Sequence, residues 1–120
     1  MNRIVPVDVS SCLFDVHRDL SVTTREHKPG PPARIDGMSV GIIAHDAPHG
    51  GEVHPDGDEI LYVVSGGIRI TGESEPDAPI ELHAGEACVV PKGEWHRVHV
   101  LEETRLIHIT PGPNGDHRPL

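Results

Sequence analysis

The sequence predicts an all-β protein, folded as an antiparallel sandwich or barrel. From Met38 onward, short segments rich in Val and Ile alternate with Gly, Pro or Asp at regular intervals. That rhythm is typical of short strands joined by turns. A chain of 120 residues is long enough for one domain with a modest core and too short for two. We therefore expect a single domain whose core lies in residues 38–110.

Residues 1–37 hold two short candidate elements and a connection. The apolar segment from Ile4 to Val9 is a strand candidate. Ser10 or Ser11 then stands where a helix N-cap would, which predicts a brief helical turn between Ser11 and Asp19. Residues 26–37 are rich in Pro and Gly, so they predict a surface connection without helix.

Seven strand segments follow, separated by turns and by the polar excursion ESEPDAP. They read MSVGIIA, EILYVV, GIRITG, IELHAG, EACVVP, HRVHVL and TRLIHIT. Residues 111–120 lack core-forming side chains. They predict an extended or loosely packed tail that reaches across a partner subunit.

Composition excludes several classes of partner. Acidic residues outnumber basic ones 19 to 10, for a formal charge of -9, which argues against nucleic acid and anionic membranes. The 10 histidines are an unusual number and favour a metal. Two cysteines without CxxC spacing indicate no disulfide framework. No apolar segment has the length of a membrane span, and the first residues lack a signal-peptide core, so we expect a cytoplasmic location.

The segment between His49 and Gly66 is predicted to form a hairpin that carries candidate metal ligands. Glu52 and His54 are two residues apart, so in a strand they project from the same face. The PDGD turn reverses the chain and lets Glu59 face them. Carboxylate oxygens and imidazole nitrogens that converge in this way suit a divalent metal. A fourth candidate ligand, His96, lies further along the chain.

These residues follow the first motif of a known family, G-x5-H-x-H-x3–4-E-x6-G. His54, Glu59 and Gly66 stand at its spacing, and Glu52 stands where its first histidine is expected. The motif resembles that of the cupin superfamily, small jelly-roll (double-stranded β-helix) barrels that hold a metal.

The second cupin motif, G-x5-P-x-G-x2-H-x3-N, is also present. Gly85, Pro91, Gly93 and His96 match it. Two motifs in register at the expected separation are far more specific than either alone. The resemblance implies a jelly-roll barrel with a metal ligand at each matching position.

The departures from the family pattern bear on the metal. Asp46 replaces the leading glycine and Val100 the closing asparagine. With Glu52, the implied ligands are two histidines and two carboxylates, which favours Fe²⁺, Mn²⁺ or Ni²⁺ over copper and is also compatible with Zn²⁺. Without Glu52, the remaining His54, His96 and Glu59 form the set associated with non-haem iron. His49 is an alternative ligand, ranked lower because its spacing breaks strand parity.

The remaining charged residues restrict the substrate. Arg69, Arg97 and Arg105 are the strand-borne cations able to hold an anion, and Arg97 is one step from His96 and so faces away from it. This shortage favours a neutral or mono-anionic small molecule. His108 is a candidate inward-facing contact to the metal ligands or the substrate.

Two function classes are compatible with these observations. In one, the barrel is a mononuclear metalloenzyme of dioxygenase or isomerase/lyase type, as the cupin resemblance implies, with Glu52, His54, Glu59 and His96 at its catalytic metal. In the other, it binds a small molecule or a metal without turnover, and a barrel that has lost its metal belongs to this class.

We also expect a homodimer, since pairing of the N-terminal strand candidate with a neighbour's sheet edge would satisfy its backbone hydrogen-bonding groups. With ordinary histidine ligands, metal occupancy would fall below about pH 6.5.

Overall fold

The computed structural model describes residues 3–28, 34–44 and 50–119. Within these ranges the chain forms strands, turns and loops, and no helix occurs. A helix of the length and apolarity that a membrane span requires is accordingly absent from the described chain. The strands are β1 Cys12–His17, β2 Val22–Glu26, β3 Gly37–Ile43, β4 Gly51–Val53, β5 Glu59–Ser65, β6 Gly67–Gly72, β7 Ile80–His83, β8 Ala87–Val90, β9 His96–Val100, β10 Arg105–Pro111 and β11 Asp116–Arg118.

The strands form two antiparallel sheets that face each other as a jelly-roll barrel. The six-stranded sheet has the order β2-β1-β3-β10-β5-β8, and the five-stranded sheet has the order β11-β4-β9-β6-β7. Burial of apolar side chains from both inner faces drives this packing. The buried core cluster consists of Leu61, Val63, Ile68, Ile70, Leu82, Val90 and Leu106. The predicted all-β jelly-roll barrel is confirmed.

The strand predicted from EILYVV shows why the alternating pattern is informative. Along β5, Glu59, Leu61 and Val63 are buried, while the residues between them are exposed. The chain then crosses from one sheet to the other at Gly66, whose φ of +83° is readily adopted only by glycine. The buried hydroxyl of Thr104 secures this crossing, because it accepts from the Gly67 amide at 3.1 Å. Strand β5 therefore enters the barrel with Glu59 pointing inward.

The N-terminal predictions are wrong. Residues 3–8 form no strand, and the segment predicted as a helical turn between Ser11 and Asp19 contains β1. Ser10 does take part in a turn, but its backbone amide and hydroxyl both donate to the Asp8 carboxylate, at 3.0 and 2.6 Å, in place of a helix cap. Strand β1 then pairs with both β2 and β3, and this pairing outweighs the local preference for a helical turn.

The C-terminal residues also differ from the predicted tail. Asp116–Arg118 form β11, which pairs with β4 of the same chain, with His117 opposite Glu52. Backbone hydrogen bonding places this polar segment in the sheet, and Arg118 adds a contact over the Trp95 ring, at 3.8 Å, and an ion pair with Glu73. The tail therefore covers the strand that carries Glu52.

Candidate metal centre

The candidate ligands of the two predicted motifs meet inside the barrel, and they come from both sheets. Glu52 on β4 pairs with His96 on β9 in the five-stranded sheet. Glu59 begins β5 in the six-stranded sheet. His54 follows β4, and its carbonyl accepts a hydrogen bond from the Gly93 amide at 3.1 Å. This bond ties the hairpin directly to the loop that leads into His96.

The four predicted residues lie together. Glu59 is central: its Oε1 lies 3.1 Å from His96 Nε2, and its Oε2 lies 3.3 Å from His54 Nε2. Glu52 Oε2 lies 3.7 Å from His54 Nε2. One ligand atom from each of Glu52, His54 and His96 falls within 4.8 Å of the others. The described structure therefore contains a Glu/His/His group able to hold a metal ion, with Glu59 in contact with both histidines.

Three of the four residues in this cluster are deeply buried, so their polar groups require partners. His54 and Glu59 are each 3% exposed and His96 is 2% exposed. Charged or strongly polar groups at this depth need partners, because their hydration is lost. Glu52 differs, since its side chain is 32% exposed. The cluster thus has three fixed interior members and one member at the solvent boundary.

The hydrogen bonds of the cluster orient the His96 ring but leave the His54 ring unsatisfied within the described chain. His96 Nδ1 lies 3.1 Å from the carbonyl oxygen of Glu94, which can only accept, so Nδ1 carries the hydrogen and Nε2 faces Glu59. Within the described chain, neither ring nitrogen of His54 makes a hydrogen bond with acceptable geometry. Imidazole lone pairs and carboxylate oxygens that face one another need a proton or a cation between them. The donor set and the unsatisfied His54 ring therefore fit a divalent metal.

Electrostatics within the cluster are strong even without a metal. Burial by itself would lower the pKa of His54, but Glu52 and Glu59 outweigh it and raise that pKa to about 9. Burial alone would raise the pKa of Glu59, yet His54, His96 and the Thr110 hydroxyl hold it well below its ordinary value. Burial opposes protonation of His96 as well, and Glu59 nevertheless raises the His96 pKa. Glu52 and Glu59 therefore favour protonation of His54, and Glu59 favours protonation of His96, when no metal is bound.

Strand β10 supports Glu59 from the side. The Thr110 hydroxyl donates to Glu59 Oε2 at 2.6 Å. With its hydrogen used there, the Thr110 oxygen accepts from His108 Nδ1 at 2.9 Å. Gly41 makes room for this histidine, since a Cβ at that position would lie 2.8 Å from His108 Nε2. The predicted inward orientation of His108 is thus observed, and His108 reaches the cluster through Thr110.

A cavity of about 180 Å³ opens onto the cluster. Its wall contains Glu52, His54, Glu59 and His96 together with His108, Thr110 and apolar side chains such as Leu61 and Leu106. Typical pockets for drug-sized ligands occupy about 300–1,000 Å³. The cavity therefore suits a small molecule.

The predicted anion-binding arginines lie elsewhere. Arg69 pairs with Glu81 on the outer surface, at 2.9 Å, and Arg97 and Arg105 are exposed. Arg25 on β2 is the arginine that lines the cavity. Arg25 was not predictable from the sequence, because VTTRE is a polar segment typical of a solvated surface. His49 and Asp46 lie outside the described residues.

Comparison with known proteins establishes the family. Residues 41–110 match the family model of the cupin domain, so the chain belongs to the cupin family. Solved structures agree in fold. A protein of Neisseria meningitidis is 22% identical, with 71% of this chain and 84% of that chain covered and a TM-score of 0.55.

Two other solved structures show the same fold. A variant of Bacillus subtilis oxalate decarboxylase is 22% identical, with a TM-score of 0.52 over 69% of this chain and 23% of that chain. A putative ethanolamine utilization protein Q of Salmonella typhimurium LT2 is 20% identical, with a TM-score of 0.50 over 64% of this chain and 59% of that one. No curated protein matches the chain.

The pKa of His54 changes the expected pH dependence of metal binding. Because that pKa is raised to about 9, a proton must leave the ring before a metal can bind. We expect the apparent affinity for Zn²⁺ to rise at least about tenfold per pH unit between about pH 6 and about pH 8, because His54 releases one proton and the raised pKa of His96 adds to the slope. A chelator competition titration across this range measures the slope. An affinity that levels off above about pH 7 would show that His54 titrates like an ordinary histidine.

Proposed function

We propose that this cupin is a metal-dependent barrel that acts on a small molecule. One divalent metal ion, Fe²⁺, Mn²⁺, Ni²⁺ or Zn²⁺, is held by Nε2 of His54 and His96 and by carboxylate oxygens of Glu59 and Glu52. The observation that carries the proposal is the His54 ring, buried beside two carboxylates without a well-formed hydrogen bond within the described chain. A buried imidazole in this state is rare unless it binds an ion or a ligand.

Different residues orient the ligands, allow movement and limit the access of water at this site. The carbonyl of Glu94 fixes the tautomer of His96, and Thr110 fixes Glu59, so these groups are oriented before any ion arrives. Glu52 is the more exposed carboxylate and stands nearest to solvent. It is therefore the ligand most able to move when a substrate enters. The apolar wall around Leu61 and Leu106 limits the access of water.

We propose a mononuclear non-haem enzyme of dioxygenase or isomerase/lyase type. A bound metal supplies Lewis-acid or redox chemistry to an oxygen-bearing substrate. His108 lines the same cavity and is hydrogen-bonded through Thr110 to Glu59, so it is a candidate to exchange a proton with the substrate. The cupin fold itself is shared by many activities and does not choose between these reaction types.

One observation favours a second candidate, a binding barrel without turnover. Glu52 and Glu59 face His54 and His96, and the raised histidine pKa values allow the four charges to compensate one another without a metal. A barrel of this kind would bind a small molecule through a polar cavity alone. Oxygen uptake with Fe²⁺-loaded protein, together with a panel of diketones, thiols and phenolic acids, distinguishes the two candidates.

Removal of one histidine tests the metal site. We expect His96→Ala to abolish stoichiometric metal binding while the barrel remains folded, because its core does not depend on the ion. Glu52→Ala should weaken binding less, since Glu52 is the most exposed of the four ligands and the three buried ones remain. His99→Ala is the matched control, because His99 lies on the same strand and is exposed. Metal content by mass spectrometry measures all three, and equal metal in wild type and His96→Ala would place the ion elsewhere.

We also propose that the protein is a homodimer. The outer face of the six-stranded sheet exposes Ile60, Tyr62 and Val64 on β5 and Val89 on β8, at 37%, 45%, 43% and 60%. Contiguous apolar side chains of this kind favour an interface. Residues 3–8, which precede β1, form no strand and include Ile4, whose side chain is fully exposed. A second copy with the same face accounts for both features.

A charge on this outer face should separate the copies. We expect Tyr62→Glu to convert the dimer to a monomer at micromolar concentration, as measured by sedimentation equilibrium. Ile80→Glu is the control, because Ile80 is equally exposed but lies on the five-stranded sheet. A monomeric wild type, or equal effects of the two variants, would refute this interface.

A further inference from the structure

A row of polar residues crosses the inner face of the six-stranded sheet. Asp15 on β1 pairs with Ser39 on β3, and Ser39 pairs with Thr110 on β10. Thr110 in turn donates to Glu59 on β5. Paired residues on neighbouring strands project from the same face. The row therefore runs along one wall of the cavity and ends at the candidate metal centre.

Arg25 is fixed at the other end of this row. Its Nε donates to Asp15 Oδ2 and its Nη2 to Asp15 Oδ1, both at 2.9 Å. Nη2 also donates to the Ser39 hydroxyl at 3.2 Å, and that hydroxyl donates to Asp15 Oδ1 at 3.1 Å. A two-point contact of this kind sets the plane of the guanidinium group.

Burial of the Asp15 carboxylate, which holds the Arg25 guanidinium, costs free energy. Asp15 is only 4% exposed, and a buried carboxylate is stabilised only when its partners are well placed. Burial alone would raise its pKa, but Arg25 outweighs burial and lowers it, so the pair stays ionised. The Arg25 side chain of this pair is 34% exposed, so its guanidinium can also meet a ligand.

One edge of the guanidinium remains available. Nη1 makes no hydrogen bond or ion pair with any residue that the structure describes. Arg25 lines the same cavity as the metal centre, and Lys28 and His27, just after β2, line it as well. Asp15 offsets the charge of Arg25, so Lys28 leaves this end of the cavity net positive. The acidic lining residues Glu52 and Glu59 belong to the opposite end.

From this arrangement we infer that Arg25 is the carboxylate-recognition residue of the cavity, and that the ligand is a short-chain hydroxy- or oxo-acid. Its carboxylate accepts from Arg25 Nη1, and its second oxygen function faces Glu59 and the two histidines. The inference rests on the proposed function, since it names the substrate class of that same site. Asp15 and Ser39 are positioning residues that hold the guanidinium in place.

Strand spacing sets the length of this ligand. The Arg25 guanidinium contacts Ser39 on β3, and Glu59 lies two strands further on, across β10. Neighbouring strands are about 4.8 Å apart, so this separation is roughly 10 Å. About 3 Å of it is taken by a hydrogen bond at one end and about 2 Å by a metal–oxygen bond at the other. What remains fits an acid of roughly three to six carbons, in keeping with the cavity of about 180 Å³.

Calorimetric binding to the Mn²⁺-loaded protein tests the inference. The probes are ω-hydroxy- and ω-oxo-acids of three to six carbons, whose second oxygen function lies at the far end of the chain from the carboxylate, each compared with its neutral methyl ester. We expect at least one acid to bind about ten- to hundredfold more tightly than its ester, because a charged hydrogen bond is lost in the ester. Arg25→Lys should reduce this preference by a similar factor, since lysine keeps the charge and loses the planar fork. Asp15→Asn should reduce it in the same direction.

The control is Arg69→Lys, which alters an ion-paired strand arginine on the outer surface. It should leave acid binding unchanged. Equal affinity of the acids and their esters in wild type, no binding of any acid, or an unchanged preference in Arg25→Lys would each overturn the inference. Metal content is measured on every sample. Wild type that takes up stoichiometric Mn²⁺ and binds no acid contradicts only the substrate class, whereas wild type without Mn²⁺ contradicts the proposed function itself.

Discussion

The contact of Glu59 with the imidazoles of His54 and His96 is the interaction on which the rest of the site depends. Glu59 comes from one sheet and the histidines from the other, so the contact joins the two halves of the barrel. All three residues are buried, and such charges persist only when a proton or a cation compensates them. The surrounding hydrogen bonds from Thr110 and to the carbonyl of Glu94 fix the geometry in which this compensation occurs.

Sequence reasoning succeeded where burial alternates along a strand. Strand β5 repeats buried and exposed positions, and the two motifs contain Gly and Pro at their turns. The strand EILYVV and the convergence of His54, Glu59 and His96 were therefore predictable. The same rule failed for β1 and β2. Their inward residues include Asp15 and Arg25, which bury charge as a pair, and a single sequence does not reveal which charges are paired. Strand β11 was missed because its side chains are polar, and it is held by backbone pairing with β4 and by contacts of Arg118 with Trp95 and Glu73.

The missed strands change the view of the cavity. When β1 and β2 are left out, the barrel contains the candidate metal ligands but no inward cation that could bind an anion. For that reason Arg69, Arg97 and Arg105, which lie outside the cavity, were predicted to be the anion-binding residues. With β1 and β2 included, one row of polar side chains links Arg25 to Glu59 across four interstrand pairings. The fold provides the rigid wall, and the identity of a few inward side chains along it decides which molecule is bound.

The central claim is that a single metal ion binds at Glu59, His54 and His96. Anomalous X-ray scattering from crystals of protein loaded with one equivalent of Mn²⁺ tests it most directly. We expect one strong anomalous peak within bonding distance of both Nε2 atoms and of Glu59. A peak at exposed histidines such as His83 or His99, with none among the three buried residues, would contradict it.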